Sequence, residues 1–491
     1  MSSATARPAR WADVAALVAG LGLLAYAVLR AVLVPITHDE AFTFLHWSSA
    51  PWRTILLFEA PERANNHVLN TVLMKASAAI FGPGETALRL PNLFAFASFL
   101  ASLWLVFRRH APPVLALSGL ILASANRHVL EMFSLARGYG LCLGLLLPGL
   151  AFASRALERP EGSVRDEARA LALVSLAVLS QFIALDVFCA LGGVLVAFHA
   201  LDARAEERGR SWARRLVPLT VAGVALAAVL GWTIVRISGS GGFYAGGAVG
   251  FWHDVVENLV WLTLLPAPWL GAATRPVLGF VAILVVLVGA SALRLLVKRP
   301  RTPSERVGLA FAMLLGLTVL AVEAQHAFFG LRYPTDRIAT PFIPLLAMAV
   351  TLAASAAPPA VRQCATAVLA AAALLAGVHL ACVGDVRKSA LWWFDADTPR
   401  VIADVSEFTR RMGRPEPTRL GSISHCEPAL NYYRVVGGLY WLTPVERLGS
   451  GAWSYDLCYV TREESSEAEK RGFTVLRRYP ETGNLLLRAP R

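Results

Sequence analysis

The chain has 491 residues, of which 56% are hydrophobic and 16% are charged, and its mean hydropathy is +0.53. This composition excludes a soluble globular protein and predicts a polytopic α-helical protein of the lipid bilayer. The formal net charge of +12 does not indicate a nucleic-acid partner, because the basic residues stand in short clusters between apolar runs. Such clusters are typical of the cytoplasmic loops of membrane proteins.

The first apolar run extends from about Val14 to Pro35 and is long enough to cross a bilayer. It is too long for the core of a signal peptide, so we expect a retained helix. The sequence His38-Asp39-Glu40 follows at once. A carboxylate beside hydrocarbon is costly and usually has a function. The alternative is a solvated loop that carries two carboxylates by chance.

The stretch from His67 to Phe81 predicts an amphipathic helix that lies in the membrane interface. Its apolar residues recur at helical spacing and oppose a polar face that includes Lys75. If this stretch crossed the bilayer instead, every later loop would be inverted and the basic clusters would lie outside. We therefore place it in the first external loop, together with Asp39 and Glu40.

With the N-terminus in the cytoplasm, the basic clusters and the apolar runs predict about eleven transmembrane helices. The predicted spans are Val14–Pro35, Ala87–Phe107, Val114–Ala125, Tyr139–Ala156, Leu171–Ile183, Val187–Leu201, Leu216–Ile234, Val277–Leu296, Val307–Val322, Ile338–Ala356 and Val361–Cys382. This arrangement puts the C-terminal part outside. Arg332 and Arg337 are external exceptions to the positive-inside pattern.

The composition changes near Gly384 and predicts two domains, a transmembrane domain over residues 1–383 and a soluble extracytoplasmic domain over residues 384–491. Short alternating runs and a helical run from about Thr398 to Met412 predict that the second domain is a small α/β or α+β unit. Cys426 and Cys458 are its only cysteines. An extracytoplasmic compartment permits a disulfide between them, and two unpaired buried thiols are the alternative.

Three groups of motifs stand in the predicted external loops. They are His38-Asp39-Glu40 with Asn65-Asn66-His67 and Ala87-Leu88-Arg89-Leu90-Pro91; Glu131 to Arg137-Gly138-Tyr139; and Leu331-Arg332-Tyr333-Pro334-Thr335-Asp336-Arg337 with Pro341-Phe342-Ile343-Pro344. In this order they resemble the GT-C glycosyltransferases, specifically the branch of protein O-mannosyltransferases and aminoarabinose transferases. That branch has an Asp-Glu pair in its first external loop, a Glu-Ala-Arg-x-Tyr motif in its second and an Arg-Tyr loop before a late helix.

The resemblance implies a GT-C-like enzyme that moves a hexose or pentose from a polyprenyl-phosphate carrier to an envelope acceptor, which is a lipid, a polysaccharide or a protein. It places the reaction at the outer face of the cytoplasmic (inner) membrane. Transfer to a hydroxyl needs a base for the acceptor proton, and we predict Asp39 as that catalytic base. Glu40, the second predicted catalytic residue, is expected to shape the field or to hold a metal or the acceptor. On an extended segment the two side chains point in opposite directions, so one carboxylate serves an inverting single displacement.

The departing phosphate requires cations, and arginine matches phosphate geometry with a planar fork of donors. The predicted donor-phosphate residues are Arg137, Arg332, Arg337 and His326. The alternative for the arginines is pairing with Asp336 or contact with lipid headgroups. The further candidates, for the acceptor or on the surface helix, are His67, Lys75, Glu131, Tyr139 and Tyr333.

No His-x-x-x-His or Cys-x-x-Cys spacing indicates a dedicated metal site. We therefore predict no essential metal and no certain cofactor, while the family includes members that use a divalent cation. A transporter or flippase of lipid-linked sugars is the competing interpretation. It predicts internal repeats and charged or broken helices at the membrane midplane, and no obvious duplication is present. For that interpretation, Asp186 is the main acidic candidate close to a predicted span, and Glu323 is another.

Overall fold

A computed structural model describes residues 10–59, 65–160, 163–202, 208–238, 246–413, 417–448 and 454–490. The helices before residue 384 are α1 (Arg10–Leu33), α2 (His38–Phe42), α3 (Trp52–Leu56), α4 (Val68–Phe81), α5 (Glu85–His110), α6 (Pro113–Ser124), α7 (Arg127–Ser134), α8 (Gly138–Leu157), α9 (Val164–Ser180), α10 (Ala184–Asp202), α11 (Arg208–Ser238), α12 (Asn258–Leu264), α13 (Leu270–Lys298), α14 (Pro303–Phe329), α15 (Phe342–Ser355) and α16 (Pro359–Val383). Two π-helical turns, Thr43–Ser48 and Trp252–Glu257, and one 3-10 turn, Asp336–Ala339, complete this part.

In the part of the chain that the structure describes, nine helices are long and apolar enough to cross a membrane. They are α1, α5, α8, α10, α11, α13, α14, α15 with its preceding 3-10 turn, and α16. The consecutive helices α6 and α7 make a tenth span if they count as one, although they meet at a bend of 62°. A polytopic helical membrane fold is therefore confirmed.

The described residues thus hold nine or ten candidate spans, where the sequence predicts about eleven. The helix α9 was predicted to cross, but it has 17 residues. Its first two turns carry four charged residues, Arg165, Asp166, Glu167 and Arg169. Charges at these positions are costly in hydrocarbon, so its apolar part is too short to count as a span by length and composition.

The helix α4 forms where the sequence predicts an amphipathic surface helix, but its polar face does not point into water. Asn70 and Thr71 are buried, whereas Ile80 and Phe81 are 72% and 64% exposed. The Asn70 amide donates to the carbonyl of Ala136 at 3.1 Å. The polar side of α4 thus satisfies backbone groups of the segment between α7 and α8, because buried carbonyls need a donor.

The core of the apolar part lies around α8, which packs against α5 and α9. A Cβ at Gly144 would stand 2.6 Å from the carbonyl oxygen of Ala95, so only glycine allows α8 to approach α5 this closely. The rings of Phe96, Phe99 and Phe133 then fill the space next to this contact, with centroids 4.5–6.1 Å apart. This packing joins α7 and α5 and fixes the segment that follows α7.

The C-terminal part is a small α/β unit with a mixed sheet. Its elements are a 3-10 turn (Trp393–Asp395), α17 (Thr398–Met412), β1 (Leu420–Ser422), α18 (Glu427–Val436), β2 (Glu446–Arg447), β3 (Leu457–Val460), α19 (Arg462–Lys470), β4 (Thr474–Arg478) and β5 (Leu485–Arg488). The strand order is β2-β1-β3-β5-β4, in which β1 pairs in parallel with β2 and β3, and β5 pairs antiparallel with β3 and β4. Cys426 and Cys458 are both buried and free, so the second alternative for these thiols is the one observed.

Candidate functional site

Asp39 and Glu40 lie in a helix that begins directly after the first long span. The backbone N–H and the hydroxyl of Thr37 both donate to Glu40 Oε2, each at 3.0 Å. This contact is the reciprocal half of a capping box and fixes the start of α2. The expectation of an extended segment is therefore wrong. The two side chains still diverge, by about 100° around the helix axis, and they contact different partners.

The carboxylate of Asp39 lies between two guanidinium groups. Its Oδ2 atom is 3.1 Å from a terminal nitrogen of Arg137 and 3.1 Å from one of Arg337. The Asp39 side chain is 11% exposed. Burial opposes the negative charge, but the two cations outweigh it, so the pKa of Asp39 lies below its ordinary value. Asp39 is therefore ionised at neutral pH.

His67 contacts the guanidinium of Arg137. A terminal nitrogen of Arg137 is 3.2 Å from Nε2 of His67. The ring of Tyr139 packs against both groups, 5.2 Å from the His67 ring and 5.6 Å from the guanidinium carbon. Because a guanidinium only donates, Nε2 is the acceptor and His67 is neutral. Burial and the charge of Arg137 lower the pKa of His67 to about 3.

Gly138 allows this contact between Arg137 and His67. A Cβ at position 138 would stand 2.2 Å from the carbonyl oxygen of Ser180 and 2.7 Å from Cγ of His67. Both distances are far below van der Waals contact, so any other residue would displace the His67 ring. The glycine between Arg137 and Tyr139 is thus a steric requirement of the site.

Arg337 enters the site from the loop before α15. The preceding residue, Asp336, has φ +51°, a left-handed conformation that aspartate tolerates better than most residues. Asn258 holds this turn, since its amide donates to Asp336 Oδ1 at 3.3 Å and accepts from the Asp336 N–H at 2.7 Å. The Arg337 guanidinium donates to the Tyr139 hydroxyl at 3.1 Å and lies 5.1 Å from the ring of Trp392.

Glu40 forms a fully buried pair with Arg89 on α5. Two hydrogen bonds join the guanidinium to the carboxylate, at 2.8 and 2.7 Å. The backbone N–H of Ala136 donates to the same carboxylate at 2.6 Å. Burial raises and Arg89 lowers the pKa of Glu40, and the net shift is downward. Both Glu40 oxygens are thus occupied, and the carboxylate ties α2 to α5 and to the residue before Arg137.

Lys75 lies at the outer side of the first loop. Its ammonium donates to the carbonyl of Ala50 and lies 4.9 Å from the ring of Trp52. These contacts fasten α4 to the segment that begins α3. Lys75 was predicted as a candidate for the acceptor or on the surface helix, and it lies on α4 with a bond to the loop backbone.

Glu131 is buried and binds the start of the C-terminal part. Its carboxylate accepts from the backbone N–H groups of Ala390 and Leu391, at 3.0 and 3.4 Å. The Arg30 guanidinium is 3.9 Å away and neutralises it. Glu131 therefore connects α7 to the chain that leads to Trp392.

The other predicted residues form a second cluster around the end of α14. The ring of His326 stacks on Tyr333 with centroids 4.3 Å apart, and the Tyr333 hydroxyl donates to Glu323 at 2.9 Å. Arg332 is exposed and donates to the carbonyl of Gly246 at 3.3 Å. The structure thus brings Arg137 and Arg337 to Asp39, whereas Arg332 and His326 contact other partners.

Sequence reasoning did not identify Arg89 or Trp392 as site residues. Arg89 is a charged residue inside an apolar span, and a charge at such a position by itself indicates a buried partner or a function. Trp392 follows the last span in a polar segment without periodicity. No local pattern places it against Arg337.

Across the described ranges, no group of three or more His, Cys, Asp or Glu side chains is arranged to hold a metal ion. The sequence has one Asp-x-Asp motif, Asp395-Ala396-Asp397, but its carboxylates separate. Asp395 accepts from the His38 backbone, and Asp397 accepts from Thr482.

No family model matches the chain, and no curated protein matches it in sequence. Among solved structures, the chain is similar to ArnT from Cupriavidus metallidurans in its crystal structure bound to undecaprenyl phosphate. The TM-score is 0.55 at 13% identity, over 97% of each chain. The apo state of the same ArnT matches with a TM-score of 0.55 at 12% identity, over 97% of this chain and 98% of that one. The chain therefore shares the fold of ArnT.

Proposed function

We propose that this protein is a glycosyltransferase that moves a sugar from a polyprenyl-phosphate carrier to an envelope acceptor. The observation that carries the proposal is the position of Asp39 Oδ2, 3.1 Å from both Arg137 and Arg337. Such a group pairs one base with two phosphate-binding cations. The ArnT structure with the same fold holds undecaprenyl phosphate, which supports a lipid phosphate as the carrier.

The two arginines suit the phosphate of the donor. Each guanidinium stays charged and offers several donors in a plane, which matches phosphate oxygens. When the bond to the sugar breaks, the phosphate gains negative charge. Cations already fixed around that position stabilise the charge without reorganisation. In the absence of donor, Asp39 occupies these cations, so a bound phosphate competes with Oδ2 for Arg137 and Arg337.

Asp39 is the proposed catalytic base. The acceptor hydroxyl oxygen forms a bond to the anomeric carbon while the bond from that carbon to the phosphate oxygen breaks. The electron pair of the broken bond leaves with the polyprenyl phosphate, and the acceptor proton passes to Asp39 Oδ1. One displacement inverts the anomeric carbon. Glu40 has no part in these transfers, because both of its oxygens accept hydrogen bonds in the buried pair with Arg89.

The proposed reaction takes place at the outer face of the cytoplasmic membrane, with the N-terminus in the cytoplasm and the C-terminal domain outside. This orientation is supported by the basic clusters, which fall on the side opposite to Asp39 when the spans are threaded. The donor sugar is a hexose or a pentose. The acceptor is a lipid, a polysaccharide or a protein of the envelope.

The test uses the purified full chain in lipid nanodiscs. It is supplied with a panel of undecaprenyl-phosphate-linked hexoses and pentoses and with an envelope extract of the producing cells. We expect one donor to release undecaprenyl phosphate and to label a component of the extract. If no donor is cleaved, and the reconstituted protein instead moves these lipids between bilayer leaflets, the protein is a flippase and the proposal is wrong.

A further inference from the structure

The C-terminal domain reaches the helix that carries Asp39. The backbone N–H of His38 donates to Asp395 Oδ2 at 2.6 Å, and the Nδ1–H of His38 donates to the carbonyl of His425 at 2.7 Å. Both acceptors belong to the C-terminal domain. The residue directly before the proposed base is therefore held at its backbone and at its ring by residues more than three hundred positions later.

The C-terminal domain also binds the backbone of Ile36, two residues before His38. The N–H of Ile36 donates to the hydroxyl of Tyr433 at 3.1 Å and to Glu85 Oε1 at 2.9 Å. The hydroxyl of the neighbouring Tyr432 donates to the carbonyl of Pro83 at 2.6 Å. Tyr432 is buried in an apolar cluster with Ile36, and α18 packs on α2. The docking of α18 is thus both polar and apolar.

We infer that the C-terminal domain completes the catalytic site, and that Asp395 and Tyr433 are positioning residues for Asp39. This inference rests on the proposed function. A helix of five residues is not stable by itself, so α2 takes its position from the groups that bind it. Glu40 and Arg89 fix it on the side of the membrane domain, and Asp395 and Tyr433 fix the backbone that leads into it.

The environment of Asp395 indicates which part of its side chain positions α2. The residue is 1% exposed, and its Oδ1 atom has no hydrogen-bond partner. Burial raises the pKa of Asp395 well above its ordinary value, and the nearby charges of Asp39 and Glu40 act in the same direction. The contact that matters for α2 is the hydrogen bond that Oδ2 accepts from the His38 N–H. An asparagine has a similar shape and keeps an oxygen that can accept from the His38 N–H, whereas alanine removes the acceptor.

The predicted effect falls on the chemical step and not on carrier binding. Arg137 and Arg337, which bind the phosphate in our proposal, come from α7–α8 and from the loop before α15. Loss of the contact at His38 displaces Asp39 and leaves these arginines in place. A shift of about 1 Å in a catalytic group costs on the order of a hundredfold in rate, while the affinity for a ligand that touches only the arginines is kept.

The experiment compares wild type, Asp395→Ala, Asp395→Asn and Tyr433→Phe, with Tyr455→Phe as a matched control in the same domain. The Tyr455 hydroxyl donates to the exposed Glu446 and has no contact with α2 among the described residues. For each full-length protein in nanodiscs, the rate of undecaprenyl phosphate release is measured with the donor that wild type uses. The affinity for undecaprenyl phosphate is measured separately.

We expect Asp395→Ala to lower the release rate at least about tenfold, and Tyr433→Phe to lower it severalfold. Affinity for undecaprenyl phosphate is expected not to fall in any variant, because a displaced Asp39 competes less for the two arginines. Asp395→Asn and the control should keep a rate near that of wild type, a rescue that a general loss of stability would not give.

If both Asp395→Ala and Tyr433→Phe release undecaprenyl phosphate at the wild-type rate, the inference is wrong. An Asp395→Asn variant that is as slow as Asp395→Ala also overturns it, because asparagine keeps an acceptor for the His38 N–H and loss of that bond could not then be the cause. If Asp395→Ala does not fold, Tyr433→Phe alone decides, since it removes one hydroxyl and full release in that variant contradicts the inference. A wild-type protein that releases nothing from any donor points to failure of the proposed function itself, which is a different result.

Discussion

Arg89 and Glu40 meet in a pair from which solvent is wholly excluded, with hydrogen bonds of 2.8 and 2.7 Å between the guanidinium and the carboxylate. Arg89 comes from a span and Glu40 from the short helix beside Asp39. The same guanidinium donates to the carbonyls of Ala31 and Val34 at the end of the first span. One cation therefore ties together the end of α1, the start of α2 and α5.

Removal of this cation should destabilise the protein strongly. Arg89→Ala leaves the buried carboxylate of Glu40 without its counter-ion, and loss of one partner of a buried pair costs about 3–5 kcal/mol. We expect a clearly lower midpoint of thermal unfolding for the purified protein in detergent. The control is Arg53→Ala, which removes a side chain that is 78% exposed from its pair with Glu59. Equal midpoints for the two variants would show that the buried pair does not anchor α2.

The two arginines at Asp39 should bind the carrier phosphate, and Arg332 should not. We expect Arg137→Ala and Arg337→Ala each to weaken undecaprenyl phosphate binding by about tenfold or more, since a charge-assisted contact to phosphate is lost. The measurement is titration of the protein in nanodiscs with undecaprenyl phosphate. Arg332→Ala is the matched control, because Arg332 lies five residues from Arg337 on the same loop but bonds to the Gly246 carbonyl. If Arg332→Ala loses as much affinity for undecaprenyl phosphate as Arg337→Ala does, the assignment of Arg337 to the carrier phosphate is wrong.

The glycine beside Arg137 offers a steric test of the site. In Gly138→Ala the new methyl group would meet Ser180 and His67 at 2.2 and 2.7 Å. The ring of His67 must then move, and Arg137 loses its contact at Nε2. We expect transfer activity and carrier affinity to fall together. Gly279→Ala on α13 serves as the control, because a Cβ there meets nothing within 4 Å. Wild-type affinity in Gly138→Ala would exclude His67 as a support of Arg137.

The neutral state of His67 predicts a specific dependence of stability on pH. Its pKa is about 3 in the folded protein, whereas an unfolded histidine takes up a proton below about pH 6.5. The unfolded state therefore binds more protons between these values, and stability is complete above about pH 6.5 and falls as the pH falls. We expect the unfolding midpoint of wild type to drop more than that of His67→Gln between about pH 7.5 and about pH 5.

The control for this comparison is His253→Gln, since His253 is 60% exposed on its loop. The unfolding midpoint of His253→Gln should change with pH as the wild-type midpoint does. If His67→Gln also follows the wild-type curve over the whole range, the folded protein binds a proton at His67 as readily as the unfolded chain does, and the neutral assignment is wrong.

The sequence was informative where a rule of charge and hydrophobicity applies. Asp39 stood out as a carboxylate at the mouth of a span, and Arg137 and Arg337 stood out as cations in predicted external loops. The topological rule does not separate Arg332 from Arg337, however. Arg337 reaches Asp39 from a turn in which the preceding residue, Asp336, has a positive φ and bonds to Asn258. Neither feature of this turn can be recognised in the sequence.

The parts that sequence reasoning missed depend on contacts between distant segments. The buried pair of Glu40 with Arg89 was not predicted, because Arg89 is 49 positions away in an apolar run. Asp395 and Tyr433 meet the backbone of His38 and Ile36 across more than three hundred residues. Periodicity predicts that the elements exist, whereas the docking of one domain on the other depends on shape and side-chain pairing in three dimensions.

The most direct test of the account separates chemistry from binding at Asp39. Asp39→Asn keeps the size of the side chain but removes the base and the charge that competes for Arg137 and Arg337. We predict that Asp39→Asn binds undecaprenyl phosphate at least as tightly as wild type and releases none from the lipid-linked donor. If Asp39→Asn releases undecaprenyl phosphate at the wild-type rate, Asp39 is not the base and the central claim is contradicted.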